Sequence, residues 1–239
     1  MAIYVISDLH GRKDKYDLVL EQLQPKDHLY ILGDVIDRGN DGIAILLDIM
    51  KRDNVTLLMG NHEKMMIDYL RGKEDHKGSV EERMLHYERW QRNGSQPTKA
   101  AYEQLDDSIR KQLRAYLEGL PYAICDLEVS QRIFCLCHAY PSDDCISGIL
   151  YEKDLSEQAC MEIVWNRFVL GQVPNQPRIH VVGHTPTPYY QDVIPFKIYQ
   201  DLNEDHTSGI IDIDCGLAFQ KEEMKVAMLC LDNLNVCYL

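Results

Sequence analysis

The chain has 239 residues, of which 45% are hydrophobic, and a formal net charge of −13 at pH 7. This size and composition support one globular domain with a substantial core, and the negative charge argues against a nucleic-acid surface, which needs clustered lysine and arginine. The first residues follow a strand pattern rather than a signal sequence, and no apolar run is long enough to span a bilayer. We therefore expect a cytoplasmic protein with neither nucleic acid nor membrane as partner. Its oligomeric state is left open.

Eight cysteines lie mostly inside apolar runs that are typical of strands. In a chain without an export signal, such cysteines are expected to be reduced and packed in the core. Cys135 and Cys137 alternate along one predicted strand, but no second pair stands at zinc-site spacing. No structural zinc site is predicted.

Three strand–helix units are predicted in the first 63 residues. Apolar runs at 3–6, 29–32 and 55–58 predict strands, and helical patterns begin near Asp14 and near Asp41. Each strand ends in a polar block, which is SDLHG at 7–11, GDVIDRG at 33–39 and MGNHE at 59–63. Right-handed crossovers place all three blocks at the same edge of a parallel sheet, where ligands bind in α/β proteins.

The remainder of the chain predicts a helical insert followed by a series of strands. Residues 64–119 are charged and mostly helical, and we interpret them as an insert beside the site. The capping-box spacing of Asp154 and Glu157 predicts a helix that continues to Leu170. Further strands are predicted at 122–128, 132–138, 178–182, 194–200, 209–214, 226–231 and 236–239. This order predicts two sheets packed face to face, with helices outside.

Side chains suited to cation binding follow several predicted strands. They are Asp8, His10, Asp34, Asn61, His138 and His184. Carboxylate, amide and imidazole donors without a thiolate suit Mn, Fe or Zn better than Ca or Mg. Asp8 and His10 stand two residues apart, so an extended chain places both on one side of a cation. Asp34 is central in the set and is expected to bridge a cation pair, whose shared water becomes hydroxide near neutral pH.

Three neighbouring residues extend this set towards phosphate ester hydrolysis. Arg38 suits bidentate binding of a phosphate, and His62 is placed to protonate a leaving alkoxide. Asp37 is expected to fix the tautomer of His62 and to raise its pKa. Taken alone, His62 is better interpreted as a buried, hydrogen-bonded histidine, and its neighbours reverse that preference in favour of the functional interpretation. His76 and His86, in the predicted insert, are interpreted as solvated residues.

The blocks SDLHG, GDVIDRG, GNHE, a strand-end His138 and GHTP at 183–186, in this order, resemble the metal-site signature of the phosphoprotein phosphatase family of calcineurin-like metallophosphoesterases. The resemblance implies an α/β fold, specifically a four-layer αββα sandwich of two mixed sheets flanked by helices. It implies one domain over 1–239, with the helical insert at about 64–119. It also implies two divalent metal ions, with Mn as the usual activating metal and Fe or Zn as alternatives.

Site roles follow from the same resemblance, position by position. It implies a first metal bound by Asp8 and His10, a bridging Asp34, and a second metal bound by Asn61, His138 and His184. It implies that Arg38 contacts phosphate, and that His62 is a general acid paired with Asp37. The segment Trp165-Asn166-Arg167 resembles the W-x-R segment of phage-type members, which implies a second phosphate contact at Arg167. Asp214 resembles the D-x-G strand end of bacterial members and is expected to be structural.

The resemblance is incomplete at two positions. Ser7 replaces a frequent Gly, and Met59 stands where many protein phosphatases have a phosphate-binding Arg.

The first hypothesis is a metal-dependent phosphomonoesterase of the serine/threonine protein phosphatase type, acting on a phosphoprotein or a small phosphoester. The alternative is a symmetrical dinucleoside tetraphosphate hydrolase, although such relatives tend to carry GNHD where this chain has Glu63. A protein-binding scaffold is disfavoured because all the ligand candidates, Arg38 and His62 are present.

Overall fold

The computed structural model describes residues 1–141, 147–171, 176–190 and 196–239. Within these ranges the chain forms eleven strands. They are β1 (Ile3–Ile6), β2 (His28–Ile31), β3 (Val55–Leu57), β4 (Ala123–Val129), β5 (Arg132–Cys137), β6 (Ile149–Leu150), β7 (Ile179–Val182), β8 (Tyr199–Leu202), β9 (Gly209–Asp212), β10 (Ala227–Cys230) and β11 (Val236–Tyr238). They build two sheets, with the spatial orders β11-β10-β1-β2-β3 and β6-β4-β5-β7-β9-β8.

Seven α-helices occupy the same described ranges and flank the sheets. They are α1 (Lys13–Gln22), α2 (Gly42–Ile49), α3 (Asn61–Glu74), α4 (Val80–Arg92), α5 (Gln96–Glu103), α6 (Asp107–Glu118) and α7 (Glu157–Trp165). The predicted insert therefore consists of most of α3 together with α4, α5 and α6. Among the described residues, no helix combines the length and the apolarity needed to cross a bilayer.

Both sheets are mixed, and each contains three adjacent parallel strands. In the first sheet β1, β2 and β3 run parallel, and in the second sheet β5, β7 and β9 run parallel. The remaining strands pair antiparallel at the edges. The prediction of an α/β fold with two mixed sheets flanked by helices is confirmed. The parallel strands matter for function because their carboxyl ends meet at the same edge of each sheet.

Apolar side chains from both sheets form one buried cluster. Val5 and Leu229 of the first sheet belong to it, together with Phe134, Val181 and Ile211 of the second, and all five are inaccessible to solvent. Burial of such side chains contributes roughly 1.5–3 kcal/mol each. Packing of the two inner faces therefore fixes the strand ends of one sheet relative to those of the other.

The helix after residue 154 differs from the prediction. Ser156, not Asp154, is its N-cap, and the Ser156 hydroxyl accepts a hydrogen bond from the backbone of Ala159 at 3.1 Å. The helix ends at Trp165 rather than continuing to Leu170, because the backbone turns extended at the next residue. Arg167 consequently lies outside the helix. Of the strand predicted at 194–200, the first two residues lie outside the described part, and β8 begins at Tyr199.

The prediction that every cysteine is reduced is wrong for one pair. Cys125 and Cys135 form a disulfide across the β4–β5 hairpin, with their Cα atoms 3.9 Å apart. These two residues directly follow the pair Ile124–Leu136 in the hairpin register, before the pairing shifts at Leu127. The other described cysteines are free thiols, and all except the exposed Cys237 are buried. Cys145 lies outside the described residues.

Candidate metal centre

The structure brings all six candidate ligands together where the two sheets end. Asp8 and His10 follow β1, Asp34 follows β2, Asn61 follows β3, His138 follows β5 and His184 follows β7. Five of them are at most 3% exposed, and His184 is half-buried. Three loops of one sheet and two of the other thus converge, as expected for ligands at the carboxyl edges of parallel strands.

Asp34 occupies the middle of this set. Its Oδ2 lies 3.8 Å from Nε2 of His10, whereas its Oδ1 lies 3.4 Å from Nε2 of His138. Asp34 belongs to two groups of possible metal ligands. One group is His10, Asp34 and His62, and the other is Asp34, His138 and His184. The two oxygens of one carboxylate therefore face two different sets of nitrogens. This arrangement fits a carboxylate that bridges two cations.

Asn61 joins the second group. Its Oδ1 lies 2.9 Å from Nε2 of His138 and 2.9 Å from Nδ1 of His184. Asn61 is the first residue of α3, so the amide stands at a helix N-terminus rather than on the strand that precedes it. An amide oxygen and two imidazole nitrogens from three separate elements thus point at the same place.

Backbone carbonyls fix the orientation of two of the imidazoles. Nδ1 of His10 lies 3.1 Å from the carbonyl of Ile36, and Nδ1 of His138 lies 2.7 Å from that of Leu32. A ring N–H donated to a carbonyl leaves the lone pair of Nε2 free, which is the tautomer that a metal requires. Both Nε2 atoms face Asp34, so the rings are oriented as they would be in a metal site.

Asp8 is held in place by two donors. Its Oδ2 accepts hydrogen bonds from the Ser7 hydroxyl and, at 3.1 Å, from the backbone N–H of His184. Its Oδ1 lies 3.9 Å from Nε2 of His10. Gly183 is required beside it, because a Cβ there would collide with Ser7 and with the Asp8 carboxylate. Ser7, which stands where a Gly is frequent, thus helps to orient the carboxylate of Asp8 through its hydroxyl.

The donor set fits divalent transition metal ions. Carboxylates, an amide oxygen and imidazoles converge in a buried site, and burial lowers the pKa of both His10 and His184 and keeps these rings neutral, as ligation requires. His138 differs, because despite burial the carboxylates of Asp34 and Asp8 raise its pKa to about 10. Divalent cations in such a site supply Lewis acidity to a phosphoryl oxygen and acidify a bound water.

The site residues adopt an unusual backbone conformation. Positive φ angles occur at Asp8 (55°), His10 (43°), Asp34 (55°), Asp37 (68°), Arg38 (68°) and His184 (68°). Residues other than glycine rarely adopt this region, and each case costs of order 1–3 kcal/mol. Adjacent loops hold one another in place, since the backbone N–H of His10 donates to the carbonyl of Asp34 at 2.9 Å. Clustered strain of this kind is characteristic of functional sites.

Glu63 ties two of the loops together. Its fully buried carboxylate accepts backbone hydrogen bonds from Asp34 at 2.8 Å, from Val35 at 2.9 Å and from Gly60 at 3.2 Å. Gly60 must lack a side chain, because a Cβ would collide with Asp34 and Glu63. Glu63 therefore positions the block that carries Asp34, a role that the sequence did not indicate.

His62 is held by the partner that the sequence predicted. Its Nδ1 lies 2.6 Å from Oδ2 of Asp37, which leaves Nε2 on the side of Asp34, at 3.7 Å from Oδ2. Burial by itself lowers the pKa of His62, but Asp34 and the bond to Asp37 raise it above its ordinary value. The arrangement favours an imidazole that holds a proton at Nε2, as a general acid must.

Two residues of the helical insert hold Asp37, and no sequence motif points to them. The indole N–H of Trp90 donates to Oδ2 of Asp37 at 2.8 Å, and the backbone N–H of Asp37 donates to the Thr98 hydroxyl at 2.9 Å. Trp90 is 1% exposed and Thr98 is 2% exposed. The insert thus reaches the partner of His62 through buried hydrogen bonds. Such a link joins residues 53 positions apart, which no local motif reveals.

Substitution of Trp90 by Phe is expected to lower kcat by about tenfold while leaving KM and metal content nearly unchanged. The change keeps most of the ring volume and removes a single hydrogen bond to a carboxylate, worth roughly 1.5–3 kcal/mol. The measurement is steady-state kinetics together with metal analysis. Tyr102→Phe, in the same insert, is the control. A Trp90→Phe enzyme as active as this control would contradict the positioning role.

Two arginines line the pocket above the candidate ligands. Arg38 and Arg167 border a cavity of about 130 Å³ together with His62 and His184. In the described part of the chain neither guanidinium forms an ion pair, although the net charge is strongly negative. The backbone N–H of Arg38 donates to the carbonyl of Gly94 at 2.9 Å. Two exposed cations without acidic partners suit a ligand with several anionic oxygens.

Two further positions singled out in the sequence lie at or near the site. Asp214, expected to be structural, accepts a hydrogen bond from the backbone of Gly216 at 2.8 Å and also lines the pocket. Burial raises its pKa well above the ordinary range. Met59 is 2% exposed and packs in the core. The position that is cationic in many protein phosphatases therefore contributes no charge here.

Comparison with known proteins identifies relatives by sequence. A symmetrical bis(5'-nucleosyl)-tetraphosphatase of Buchnera aphidicola subsp. Acyrthosiphon pisum is 33% identical over 81 residues, which is 32% of this chain and 30% of the relative. An enzyme of the same name from Glaesserella parasuis is 36% identical over 76 residues, 30% of this chain and 28% of the relative. The matched part thus spans about a third of the length of these curated relatives.

Solved structures are similar in fold. A chain provisionally described as a diadenosine tetraphosphatase has a TM-score of 0.60 at 15% identity, with 100% of this chain and 92% of the other covered. A serine/threonine phosphatase of Saccharomyces cerevisiae has a TM-score of 0.53 at 15% identity, with 100% and 79% covered. The family profile described as calcineurin-like phosphoesterase matches residues 1–213. The chain therefore belongs to the calcineurin-like phosphoesterase family.

Proposed function

We propose that this protein is a hydrolase that cleaves dinucleoside polyphosphates, with a symmetrical dinucleoside tetraphosphate as the preferred substrate. The observation that carries the proposal is the identity of the curated relatives, which are symmetrical tetraphosphatases at 33–36% identity. The pocket is compatible with it, because unpaired Arg38 and Arg167 stand beside the candidate ligands. Water and the tetraphosphate would give two nucleoside diphosphates, by cleavage of the central phosphoanhydride.

The sequence argument against this substrate loses weight once the position of Glu63 is known. It depended on Glu63, where such relatives tend to have Asp. The Glu63 carboxylate binds the backbone of Asp34 and Val35 and does not line the pocket. A residue that faces away from the substrate is a poor guide to substrate choice. Met59, buried in the core, removes one reason to prefer phosphoproteins.

In this proposal the residues of the chain have separate tasks. Arg38 and Arg167 bind non-bridging phosphate oxygens and orient the scissile bond. Asp34, with the candidate ligands around it, holds two divalent cations, for which we propose Mn first and Fe or Zn as alternatives, given the mixed oxygen and nitrogen donors. His62 holds a proton at Nε2 and donates it to the leaving oxygen, while Asp37 keeps the ring in that tautomer.

A phosphomonoesterase of the serine/threonine protein phosphatase type is the second candidate. The paired His62 and Asp37 favour it, because a serine alkoxide is a poor leaving group that needs a proton. A nucleoside diphosphate depends much less on protonation of its leaving oxygen. A scaffold without activity has no support, since the candidate ligands, Arg38 and His62 are assembled in one pocket.

Kinetics with both substrates test the proposal. Protein loaded with Mn²⁺ is assayed on diadenosine tetraphosphate and on a phosphoserine peptide, and products are separated by chromatography. We expect a higher kcat/KM for the dinucleotide, with ADP as the product, and loss of both activities after chelation. Preference for the phosphopeptide would transfer the assignment to the second candidate. Asymmetric products, AMP and ATP, would contradict symmetrical cleavage.

A further inference from the structure

A second cavity lies between α4 and α7. Its volume is about 560 Å³, within the usual range for ligand sites. Its lining residues are Leu85, Glu88, Arg89, Arg92, Asn93, Met161 and Trp165. Leu85 is 61% exposed and forms an apolar wall with Met161 and Trp165. We call this cavity the α4–α7 groove.

The groove adjoins the pocket above the candidate ligands. Asn93 and Trp165 line both cavities. The Trp165 ring also meets the ring of His184 edge-on, with centroids 5.8 Å apart. Trp165 therefore stands at the boundary between the groove and the pocket that contains His184.

The groove combines an aromatic wall with cations. Arg92 is bound to Glu88 at 2.9 Å, whereas Arg89 has no ion pair or side-chain hydrogen bond among the residues that the structure describes. An unpaired arginine in a chain of net charge −13 marks a local site for an anion. A planar base stacks on an aromatic ring irrespective of its identity, and phosphate oxygens bind guanidinium groups.

We propose that the α4–α7 groove binds the nucleoside diphosphate half of the substrate that departs after cleavage. The base packs against Trp165, Met161 and Leu85, and the diphosphate lies towards Arg89 and Arg92. This inference rests on the proposed function, which supplies a substrate with two nucleotide ends. It assigns substrate length selection to the insert, because α4 provides most of the groove.

Charge reversal at Arg89 tests the proposal. In the Mn²⁺-loaded enzyme, Arg89→Glu is expected to raise both the KM for diadenosine tetraphosphate and the inhibition constant of ADP by about tenfold or more, since a hydrogen bond to a charged group is lost. Arg110→Glu changes the net charge equally and lies on a separate cavity lined by α5 and α6 residues, so it is the matched control. Inhibition by inorganic phosphate, which needs only the metal pocket, should change no more in one variant than in the other.

Fluorescence separates this inference from the proposed function. The chain has two tryptophans, and ADP bound in the groove should quench Trp165 in the wild type but not in a Trp165→Phe variant. Quenching that persists in Arg110→Glu but is lost in Arg89→Glu, without turnover of the dinucleotide, would sustain the groove and reject the tetraphosphatase. Turnover with equal constants for Arg89→Glu and Arg110→Glu would reject the groove alone. A larger effect of Arg89→Glu on a phosphopeptide than on ADP would reject the nucleotide as occupant.

Discussion

Replacement of Asp34 by Asn is expected to lower turnover by at least about a thousandfold and to reduce bound metal by at least one equivalent. The carboxylate faces His10 at 3.8 Å with one oxygen and His138 at 3.4 Å with the other, and Asn supplies a single neutral oxygen. Bound cations contribute several kcal/mol of transition-state stabilisation, and each 1.36 kcal/mol is a factor of ten. The measurements are metal analysis of the purified variant and kcat/KM at saturating Mn²⁺.

The Asn variant is well suited to this test because its shape is preserved. Oδ1 of residue 34 accepts the backbone N–H of His62 at 3.0 Å, and an amide oxygen can accept the same bond. Asp27→Asn is the matched control, since Asp27 is also buried but precedes β2 and binds the backbone of Ala2. Full metal content and turnover in Asp34→Asn would overturn the bridging role.

Replacement of His62 by Asn is expected to lower turnover of a phosphoserine peptide by about 10²–10⁴-fold, the usual contribution of a general acid. The loss on diadenosine tetraphosphate should be smaller, because a nucleoside diphosphate leaves without full protonation. The comparison of kcat for both substrates therefore reports the work done at Nε2. His86→Asn is the control, since His86 lies on α4 away from the pocket.

Metal analysis of the same variant decides between two roles for His62. The ring nitrogen lies within one possible ligand group with His10 and Asp34, so direct ligation competes with proton donation. A general acid leaves metal content unchanged when it is replaced. Loss of one equivalent in His62→Asn would identify a ligand and contradict the acid role.

The sequence anticipated the geometry of the site because its information is local. Asp8, Asp34 and Asn61 each follow an apolar run, and parallel pairing brings the ends of such runs to one edge. The His62–Asp37 contact also followed from chemistry, since an imidazole beside a carboxylate has an evident partner. The roles of these residues remain predictions until metal and kinetics are measured.

Other features depend on contacts that no local pattern records. Trp90 lies 53 residues from Asp37 within the predicted insert, and its indole N–H nevertheless donates to the Asp37 carboxylate. Glu63 suggested a substrate preference through its place in the GNHE motif, whereas its contacts with the backbone of Asp34 and Val35 depend on the tertiary fold. Helix α7 stops at Trp165 despite favourable residues beyond it, since the extended backbone that follows carries Arg167 to the pocket.

The left-handed backbone of the site implies a conflict between durability and turnover. Glycine accepts those torsion angles freely, so at Asp8, Asp34 or His184 it would relieve the chain of an unfavourable conformation while removing a side chain needed for chemistry. Selection for thermal stability alone would therefore favour glycine at these positions. The backbone strain at these positions is thus a cost in stability, and the proposed metal centre would explain why the side chains are kept.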